Sequence, residues 1–234
     1  MNVFYTAEIE GDTAFLDEVE SGHAFRVLRM KEGDSVIVTD GKGGWFTGII
    51  GFGHPKKCSI RIISSQCNFE KRNFKLTLAV APTKSSDRIE LFLEKATEIG
   101  IDRFVPIRCS FGERKTINIA RLEKIALSAM KQSLKAWLPE ISELVSFEDF
   151  IAKPFEGKKL IAHCYPGHKP HLKNVVQAGE NVLILIGPEG DFSPDELIHA
   201  VEAGFQEVSL GQSRLRTETA ALVACTAVAF VNES

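Results

Sequence analysis

Short apolar runs separated by polar and glycine-rich segments predict short β-strands along the first part of the chain. Two β-branched runs, residues 36–39 and 45–50, flank the glycine-rich sequence DGKGG, which is typical of a β-hairpin turn. Residues 58–63 predict a further strand, and a short helix is predicted at about 23–30, ended by Gly33. Many short strands separated by glycine turns are typical of a small β-barrel-like domain.

Beyond residue 73 the pattern changes to strands that alternate with amphipathic helices. The intervening segment 64–73 is polar and aperiodic, so the sequence predicts two domains, 1–70 and 71–234. Several predicted strands are apolar throughout, which is typical of a largely parallel sheet covered by helices, and this predicts an α/β fold. The predicted strands are FKLTLAVAP, DRFVPIRC, KKLIAHC, NVLILI and EVSL, and the predicted helices include residues 89–99, 122–133, 194–203 and 217–231.

The composition is that of an ordinary globular protein. The 234 residues are 44% hydrophobic and 25% charged, and no apolar run approaches the roughly 20 residues needed to cross a bilayer. The first residues show no signal-peptide pattern, and the five cysteines are scattered without a CxxC pair. These features predict a cytoplasmic protein with no membrane partner, whose cysteines are free thiols acting as small buried hydrophobes.

Charge is distributed unevenly along the chain. The formal net charge is only −3, but residues 71–135 contain 14 basic and 7 acidic side chains. Residues 1–70 contain 7 basic and 10 acidic side chains, and residues 136–234 contain 7 and 14. The basic middle segment is either a surface that faces phosphates or a set of solvated helix faces.

Three loops follow predicted strands: HCYPGHKPH, GPEGDFSPDE and LGQSRLRTETA. In open α/β sheets, ligands bind beyond the carboxyl ends of the strands, so these loops are the candidate site. In the second loop, Ser193, Pro194 and Glu196 predict a capping box with proline at the first helical position. The capping box explains the start of the helix but leaves the GPEG sequence before it unexplained.

GPEG is either a structural turn or a backbone cradle for a ligand. It matches neither a dinucleotide GxGxxG loop nor a P-loop, since no Gly-Lys-Ser/Thr sequence follows. The carboxylates near the helix start would repel an anion, so a neutral or cationic ligand is favoured over a polyphosphate. These carboxylates belong to Glu189, Asp191, Asp195 and Glu196.

The other two loops carry further candidate chemistry. Arg214 and Arg216 in the third loop are suited to binding a phosphate or stabilising developing negative charge. Glu218 is either catalytic or a complement to the helix dipole. The histidines of the first loop, His163 and His168 among them, have no regular ligand spacing, so no metal site is predicted.

The sequences LILIGPEGDFSPDEL and VSLGQSRLRTETAAL resemble the SPOUT-class methyltransferases. The closest resemblance is to the bacterial family that methylates N3 of a uridine in 16S ribosomal RNA. It extends to GHAFRVLRMKEGD, which is similar to the small N-terminal PUA-like domain of that family, and to LFLEKATEIGIDRFVPI and AMKQSLKAWLPEI. The resemblance implies a PUA-like β-barrel over 1–70, and a SPOUT α/β domain with a deep trefoil knot over 71–234. It also implies S-adenosylmethionine as cofactor, a homodimer, and 16S ribosomal RNA, within the small ribosomal subunit, as partner.

The resemblance also assigns site residues, with two departures from the family pattern. Asp191 stands where the family commonly has the last glycine of GPEGG, and Ser213 stands at the usual arginine position, followed by Arg214. The implied cofactor-binding residues are Ala162, His163, Ile186, Gly187, Pro188, Gly190, Leu210, Gly211 and Leu215.

Methyl transfer to uracil N3 requires loss of the imide proton and stabilisation of the charge that spreads onto O2 and O4. We therefore expect Arg216 to stabilise that charge and Glu218 or Glu189 to accept the proton. The alternatives are a non-catalytic RNA-binding or ribosome-assembly protein on the same fold, and an unrelated α/β enzyme with a nicotinamide or phosphate cofactor. The residues predicted to bind RNA are Arg26, Arg29, Lys42, Lys84, Arg88, Arg108, Arg114, Lys135 and Arg214.

Overall fold

The computed structural model describes residues 2–233 and contains two compact units. The N-terminal unit comprises the residues up to Lys71 together with Leu127–Leu138. The C-terminal unit comprises Arg72–Ala126 together with the residues from Pro139 onward. Helix 119–132 therefore contributes residues to both units.

A curled six-stranded sheet forms the core of the N-terminal unit. Its strands are β1 Val3–Tyr5, β2 Glu8–Glu10, β3 Thr13–Leu16, β4 Ser35–Thr39, β5 Trp45–His54 and β6 Lys57–Gln66. Their order is β1-β4-β5-β6-β3-β2, with β1 and β4 parallel and every other pair antiparallel. The predicted hairpin is confirmed as β4 and β5, and the predicted strand at 58–63 is confirmed as part of β6. Alternate residues such as Phe4, Val36, Val38 and Ile60 form its apolar core.

The helix predicted at about 23–30 is wrong in its start and in its type. Helix α1 spans Glu18–Gly22. Asp17 is its N-cap, and the Asp17 side chain accepts the N–H of Glu20 at 2.7 Å. A π-helical turn at His23–Val27 then continues it. The early start follows from the N-cap aspartate, because a carboxylate there satisfies an otherwise unpaired N–H group.

A seven-stranded parallel sheet forms the C-terminal unit, as the apolar strands predict. Its strands are β7 Leu76–Val80, β8 Arg103–Arg108, β9 Glu140–Ile141, β10 Val145–Ser146, β11 Lys158–Ala162, β12 Val182–Ile186 and β13 Gln206–Val208. Their order is β10-β8-β7-β12-β11-β13, with β9 paired to β8. All residues of β7 and β12 are buried, because helices cover both faces of a parallel sheet.

Five further helices and one 3₁₀ turn complete the structure of residues 2–233. The helices are α2 Ser86–Ile99, α3 Ile119–Gln132, α4 Phe147–Ile151, α5 Pro194–Glu202 and α6 Thr217–Asn232, and the 3₁₀ turn is Leu172–Asn174. The predicted stop at Gly100 is confirmed, with φ +129° at that residue. The predicted capping box of Ser193 and Glu196 is also confirmed. The trefoil knot stays a prediction.

The five cysteines are free thiols, as predicted. Cys58, Cys109 and Cys225 are buried, and burial raises the pKa of the Cys58 thiol to about 11 and raises that of Cys109 further. The expectation of buried side chains is wrong for Cys67 and Cys164, which are exposed. Within residues 2–233, no helix is both long enough and apolar enough to cross a membrane.

Candidate functional site

Three loops meet at one edge of the parallel sheet because the strands before them end in register. Ala162, the last residue of β11, pairs with Ile186 at the end of β12 and with Val208 at the end of β13. The convergence expected from the sequence is therefore present. The loops after these strands are named the first loop (163–171), the second loop (187–193) and the third loop (209–216).

A cavity of about 900 Å³ lies between these loops. Its wall contains every residue that the sequence predicts to hold a cofactor, together with Glu189, Arg214 and Arg216. Tyr165 and Lys169 also line it, although the motifs did not single them out because backbone and apolar contacts were expected there. The predicted cofactor residues in the wall are Ala162, His163, Ile186, Gly187, Pro188, Gly190, Leu210, Gly211 and Leu215.

The second loop is closed by hydrogen bonds within its own turn and to helix α6. Gly187 and Pro188 are buried, and the Asp191 N–H donates to the carbonyl of Pro188 at 2.9 Å. The Thr217 hydroxyl, at the start of α6, donates to the carbonyl of Gly187 at 3.0 Å. A Cβ atom placed on Gly187 would lie 3.1 Å from the Phe192 ring, so glycine lets the ring close over this turn. GPEG is therefore both a packed turn and a wall of the cavity.

Asp191 connects the first loop to the second. One carboxylate oxygen accepts the N–H of Cys164 at 2.8 Å, and the other accepts the N–H of Phe192 at 2.8 Å. The Tyr165 hydroxyl adds a second link by donating to the Phe192 carbonyl at 3.0 Å. Asp191 has φ +67°, in the left-handed region that aspartate tolerates better than most residues. A glycine at position 191 would adopt this backbone conformation more easily, but it would have no side chain to hydrogen-bond to the first loop.

The third loop is joined to the first by backbone hydrogen bonds. The Ser209 N–H donates to the Pro170 carbonyl, and the Leu172 N–H donates to the Ser209 carbonyl, both at 2.9 Å. Gly211 has φ +128°, and nothing lies within 4 Å of the position that a Cβ atom would take. The backbone of Gly211 therefore borders open space in the cavity wall, where a ligand can approach closely.

Charged groups of both signs border the cavity. Arg214 and Arg216 are exposed, and the Arg216 carbonyl accepts the N–H of Ala220 at 2.7 Å, which fixes its backbone at the start of α6. Glu189 is also exposed, and one of its oxygens accepts the N–H of Lys84 at 3.1 Å. This bond joins the loop after β7 to the second loop and orients the Glu189 side chain.

Both ring nitrogens of His163 have partners within the fold. Nδ1 accepts the Tyr165 N–H at 3.3 Å, and Nε2 lies 2.8 Å from a carboxylate oxygen of Glu207. The tautomer that satisfies both contacts carries its proton on Nε2, which donates to Glu207. The His163 side chain is only 2% exposed, so this residue contributes a wall to the cavity and not a proton acceptor.

Glu218 does not line the cavity. Thr217 and Ala220 face it, whereas Glu218 is buried with one oxygen 3.9 Å from Nε of Arg88 on α2. Its other oxygen, Oε2, is a buried polar atom without a hydrogen-bond partner among the described residues. The structure thus brings Glu189 and Arg216 together at the cavity but places Glu218 outside it.

The residues predicted to bind RNA are distributed over both units. In the N-terminal unit, Lys135 is half-buried and the other three are exposed. In the C-terminal unit, Lys84 pairs with Glu113 at 3.0 Å and Arg88 lies near Glu218. The exposed members are Arg26, Arg29, Lys42, Lys84, Arg108 and Arg214, and the half-buried members are Arg88, Arg114 and Lys135.

A second cavity of about 690 Å³ lies in the C-terminal unit, and no sequence motif predicts it. Arg114, Arg121 and Glu90 are among the charged residues that line it. The Arg121 guanidinium binds both Glu90 oxygens, at 2.6 and 2.7 Å, and this holds the pKa of Glu90 below its ordinary value. Because these charges compensate one another, the cavity is not a strong candidate for a charged ligand.

Family models identify the two units and the three-loop cavity as parts of an RNA-modifying enzyme. Residues 70–229 match a model described as an RNA methyltransferase domain, and residues 16–63 match one described as an RNA methyltransferase PUA domain. The chain therefore belongs to the RNA methyltransferase family. The predicted enzyme class and the predicted α/β fold with a PUA-like N-terminal domain are confirmed.

Individual relatives are similar over nearly the whole chain. Ribosomal RNA small subunit methyltransferase E of Aquifex aeolicus is 31% identical, covering 94% of this chain and 95% of its own length. The crystal structure of a probable rRNA-methyltransferase from Porphyromonas gingivalis has 42% identity and a TM-score of 0.92, covering 99% of this chain and 98% of that one. The crystal structure of a ribosomal RNA small subunit methyltransferase E from Neisseria gonorrhoeae contains bound S-adenosylmethionine. It has 27% identity and a TM-score of 0.86, covering 99% of this chain and 98% of that one.

Proposed function

We propose that this chain transfers a methyl group from S-adenosylmethionine to N3 of a uridine in 16S ribosomal RNA. The observation that carries the proposal is the single cavity lined by every predicted cofactor residue and by Arg216 and Glu189. The names of the relatives support the small-subunit RNA as substrate, and the solved relative with its cofactor supports S-adenosylmethionine. The GPEG and LRTETA motifs resemble those of the family that methylates N3 of a uridine, and this supports N3 as the atom that is methylated.

The cavity fits S-adenosylmethionine better than it fits a phosphate cofactor. The helix start at α5 is closed by its capping box, and Glu189 and Asp191 carry carboxylates into the cavity wall. These carboxylates suit a sulfonium, and the Ser193 side chain caps the α5 N-terminus, where a polyphosphate would otherwise bind. Gly187, Pro188 and Gly211 would hold the cofactor through their backbones. When bound, it supplies a methyl group activated by the positive charge on sulfur. This argues against the nicotinamide or phosphate alternative.

Arg216 is the residue we expect to stabilise charge on the base. Its backbone is fixed at the start of α6, while its guanidinium is exposed at the cavity. As the N3 proton leaves, negative charge spreads onto O2 and O4 of the uracil. A guanidinium offers several N–H donors in a rigid plane, which suits an oxygen that gains charge.

Glu189 is a better placed proton acceptor than Glu218. Glu189 lines the cavity, and its bond from the Lys84 N–H occupies only one of its two oxygens. The second oxygen remains able to accept a proton, provided that the N3 edge comes within hydrogen-bond reach. Glu218 lies beside Arg88, outside the cavity wall, where its carboxylate is suited to holding that arginine.

The proposal is tested on RNA from cells that lack this protein. Their 16S ribosomal RNA is expected to lack an N3-methyluridine, as shown by mass spectrometry of mapped nucleotides. Purified protein with S-adenosylmethionine is expected to restore the methyl group in assembled subunits or in free RNA, and the same reaction without S-adenosylmethionine serves as the inactive control. A methyl group on another atom, or only in large-subunit RNA, would contradict the assignment. Failure to transfer any methyl group would favour the non-catalytic alternative.

RNA docking is proposed to use both parts of the chain. We assign residues 1–70 to an RNA-binding domain and 71–234 to the methyltransferase domain, with the nine basic residues above as the phosphate footprint. Six of the nine are exposed, which supports this use. A uridine in a loop or splayed out of a helix is the expected target, since pairing hides its N3 edge.

We propose that the protein is a homodimer that uses helix α6 at its interface. Its sequence, TETAALVACTAVAFVN, is apolar on every side, which in a soluble protein is typical of a helix with neighbours all round. Yet Phe230 is 68% exposed and Leu222 is half-buried in a single chain. A second copy of the chain would cover this face.

Light scattering is expected to give a mass about twice the 25.8 kDa of the chain. Phe230→Asp is expected to shift the protein towards the monomer, because a carboxylate would be buried without a partner. Ile198→Asp changes a side chain that is 54% exposed on α5 and is expected to leave the mass unchanged. A wild-type protein with the mass of one chain would refute the dimer.

A further inference from the structure

Phe111 is an exposed aromatic residue next to the cavity between the three loops. It lies in the segment after β8 and is 51% exposed, although its ring is wholly apolar. A Cβ atom placed on Gly190, which lines the cavity, would lie 3.2 Å from the Phe111 Cβ atom. Phe111 therefore lies beside Gly190 of the second loop, next to the cavity wall.

The backbone on both sides of Phe111 is held by hydrogen bonds. The Ser110 N–H donates to a carboxylate oxygen of Glu196 at 2.8 Å, and Glu196 is itself part of the α5 capping box. The Gly112 N–H donates to the carbonyl of the buried Cys109 at 3.0 Å and closes a tight turn around Phe111. The backbone at Phe111 is thus positioned before any ligand binds, which lowers the entropy cost of using the residue.

Basic residues accompany Phe111 along the same segment. Arg108 precedes it and Arg114 follows it, and Lys84 reaches the segment through an ion pair with Glu113 at 3.0 Å. The Lys84 N–H also binds Glu189, so this group is connected to the cavity wall. An apolar ring in the same segment as the exposed Arg108 suits a nucleotide, which has a flat base and a phosphate.

We propose that Phe111 is the stacking platform for the base that is methylated. The inference rests on the proposed function and names a residue that holds the substrate base. A base whose ring nitrogen reacts must leave the helical stack, which exposes both of its faces while its edge points to the methyl donor. Stacking on Phe111 would cover one face and leave the edge directed to the cavity beside Gly190.

The experiment compares Phe111→Ala, Phe111→Leu, Phe111→Tyr and Phe111→Trp in the full-length protein, with 16S ribosomal RNA from cells that lack it. Loss of the ring is expected to lower kcat/KM about 5- to 100-fold, the range that loss of one base-stacking contact gives. Alanine and leucine should both lower kcat at saturating RNA, whereas tyrosine and tryptophan should stay within about threefold of wild type. Fluorescence of the Phe111→Trp side chain should be quenched when RNA binds.

Two controls separate this inference from the proposed function. Binding of S-adenosylmethionine, measured by calorimetry, should be unchanged in every variant, and Val201→Ala, which removes a side chain 48% exposed on α5, should leave methyl transfer unchanged. Wild-type activity in Phe111→Leu would overturn the inference, as would a change in KM alone, because a neighbouring base would then be the one that stacks. Either result would leave the proposed function intact, while a wild-type protein without methyl transfer would overturn both.

Discussion

Replacing Arg216 with alanine is expected to lower the rate of methyl transfer about 100- to 1000-fold, the range found when one preorganised donor to a developing oxyanion is removed. The guanidinium is exposed at the cavity and is held by a fixed backbone, so its loss removes a donor without removing a packed side chain. Because the predicted cofactor contacts are largely backbone and apolar, the affinity for S-adenosylmethionine should change by no more than about threefold.

Arg216→Lys and Arg214→Ala are the matched variants for this measurement. Lysine retains the charge but not the planar fork, and intermediate activity is expected from it. Arg214 borders the same cavity and is expected to act mainly in RNA binding, so its loss should raise KM for RNA more than it lowers kcat. Methyl transfer by Arg216→Ala at the wild-type rate would exclude the proposed charge stabilisation. Equal loss of cofactor binding and transfer would instead make Arg216 a cofactor ligand.

Affinity for 16S ribosomal RNA is expected to fall about 10³- to 10⁵-fold between 50 and 200 mM salt, if roughly six to ten phosphates are contacted. Nine basic residues make up the proposed footprint, and two of them already lie near carboxylates that would compete with phosphate. Fluorescence anisotropy at several salt concentrations gives the slope of the logarithm of affinity against that of salt concentration.

Arg108→Ala is expected to lower that slope by about one, since Arg108 is exposed and each phosphate contact contributes about that much. Lys153 is also exposed but lies outside the proposed footprint, so Lys153→Ala should leave the slope unchanged. A shallow salt dependence in the wild-type protein would refute the footprint, whatever the activity of the enzyme.

Long apolar strands and helix caps made much of the fold predictable. The buried strands β7 and β12 have few polar residues, and the Ser193 and Glu196 box marks the start of α5 by local chemistry alone. The strands β1 to β3 are only 3 or 4 residues long, and β9 and β10 have 2 each. Such short strands form because a neighbouring strand hydrogen-bonds to them. The local sequence does not show which segment that neighbour will be, so these strands could not be predicted.

The meeting of the three loops could be predicted from the sequence, because it depends on where the strands end. Which side chains enter the cavity could not, because that depends on the direction in which each side chain points. Successive helix residues point about 100° apart, so Thr217 can face Gly187 while Glu218 faces Arg88 on α2. The motif alone could not distinguish these directions. The proximity of Phe111 to Gly190 brings together distant parts of the sequence and depends on the order of strands in the sheet.

The common register of β11, β12 and β13 limits how this enzyme can vary. Since Ala162, Ile186 and Val208 end their strands side by side, the loops begin from one level of the sheet. Adding a residue to a loop lengthens only that loop, whereas adding one inside β12 would turn its later side chains to the opposite face. Insertions and deletions among homologues should therefore collect in the loops, while strand lengths stay constant. Exchange of these loops between relatives is accordingly expected to change the lining of the cavity while the sheet beneath it stays the same.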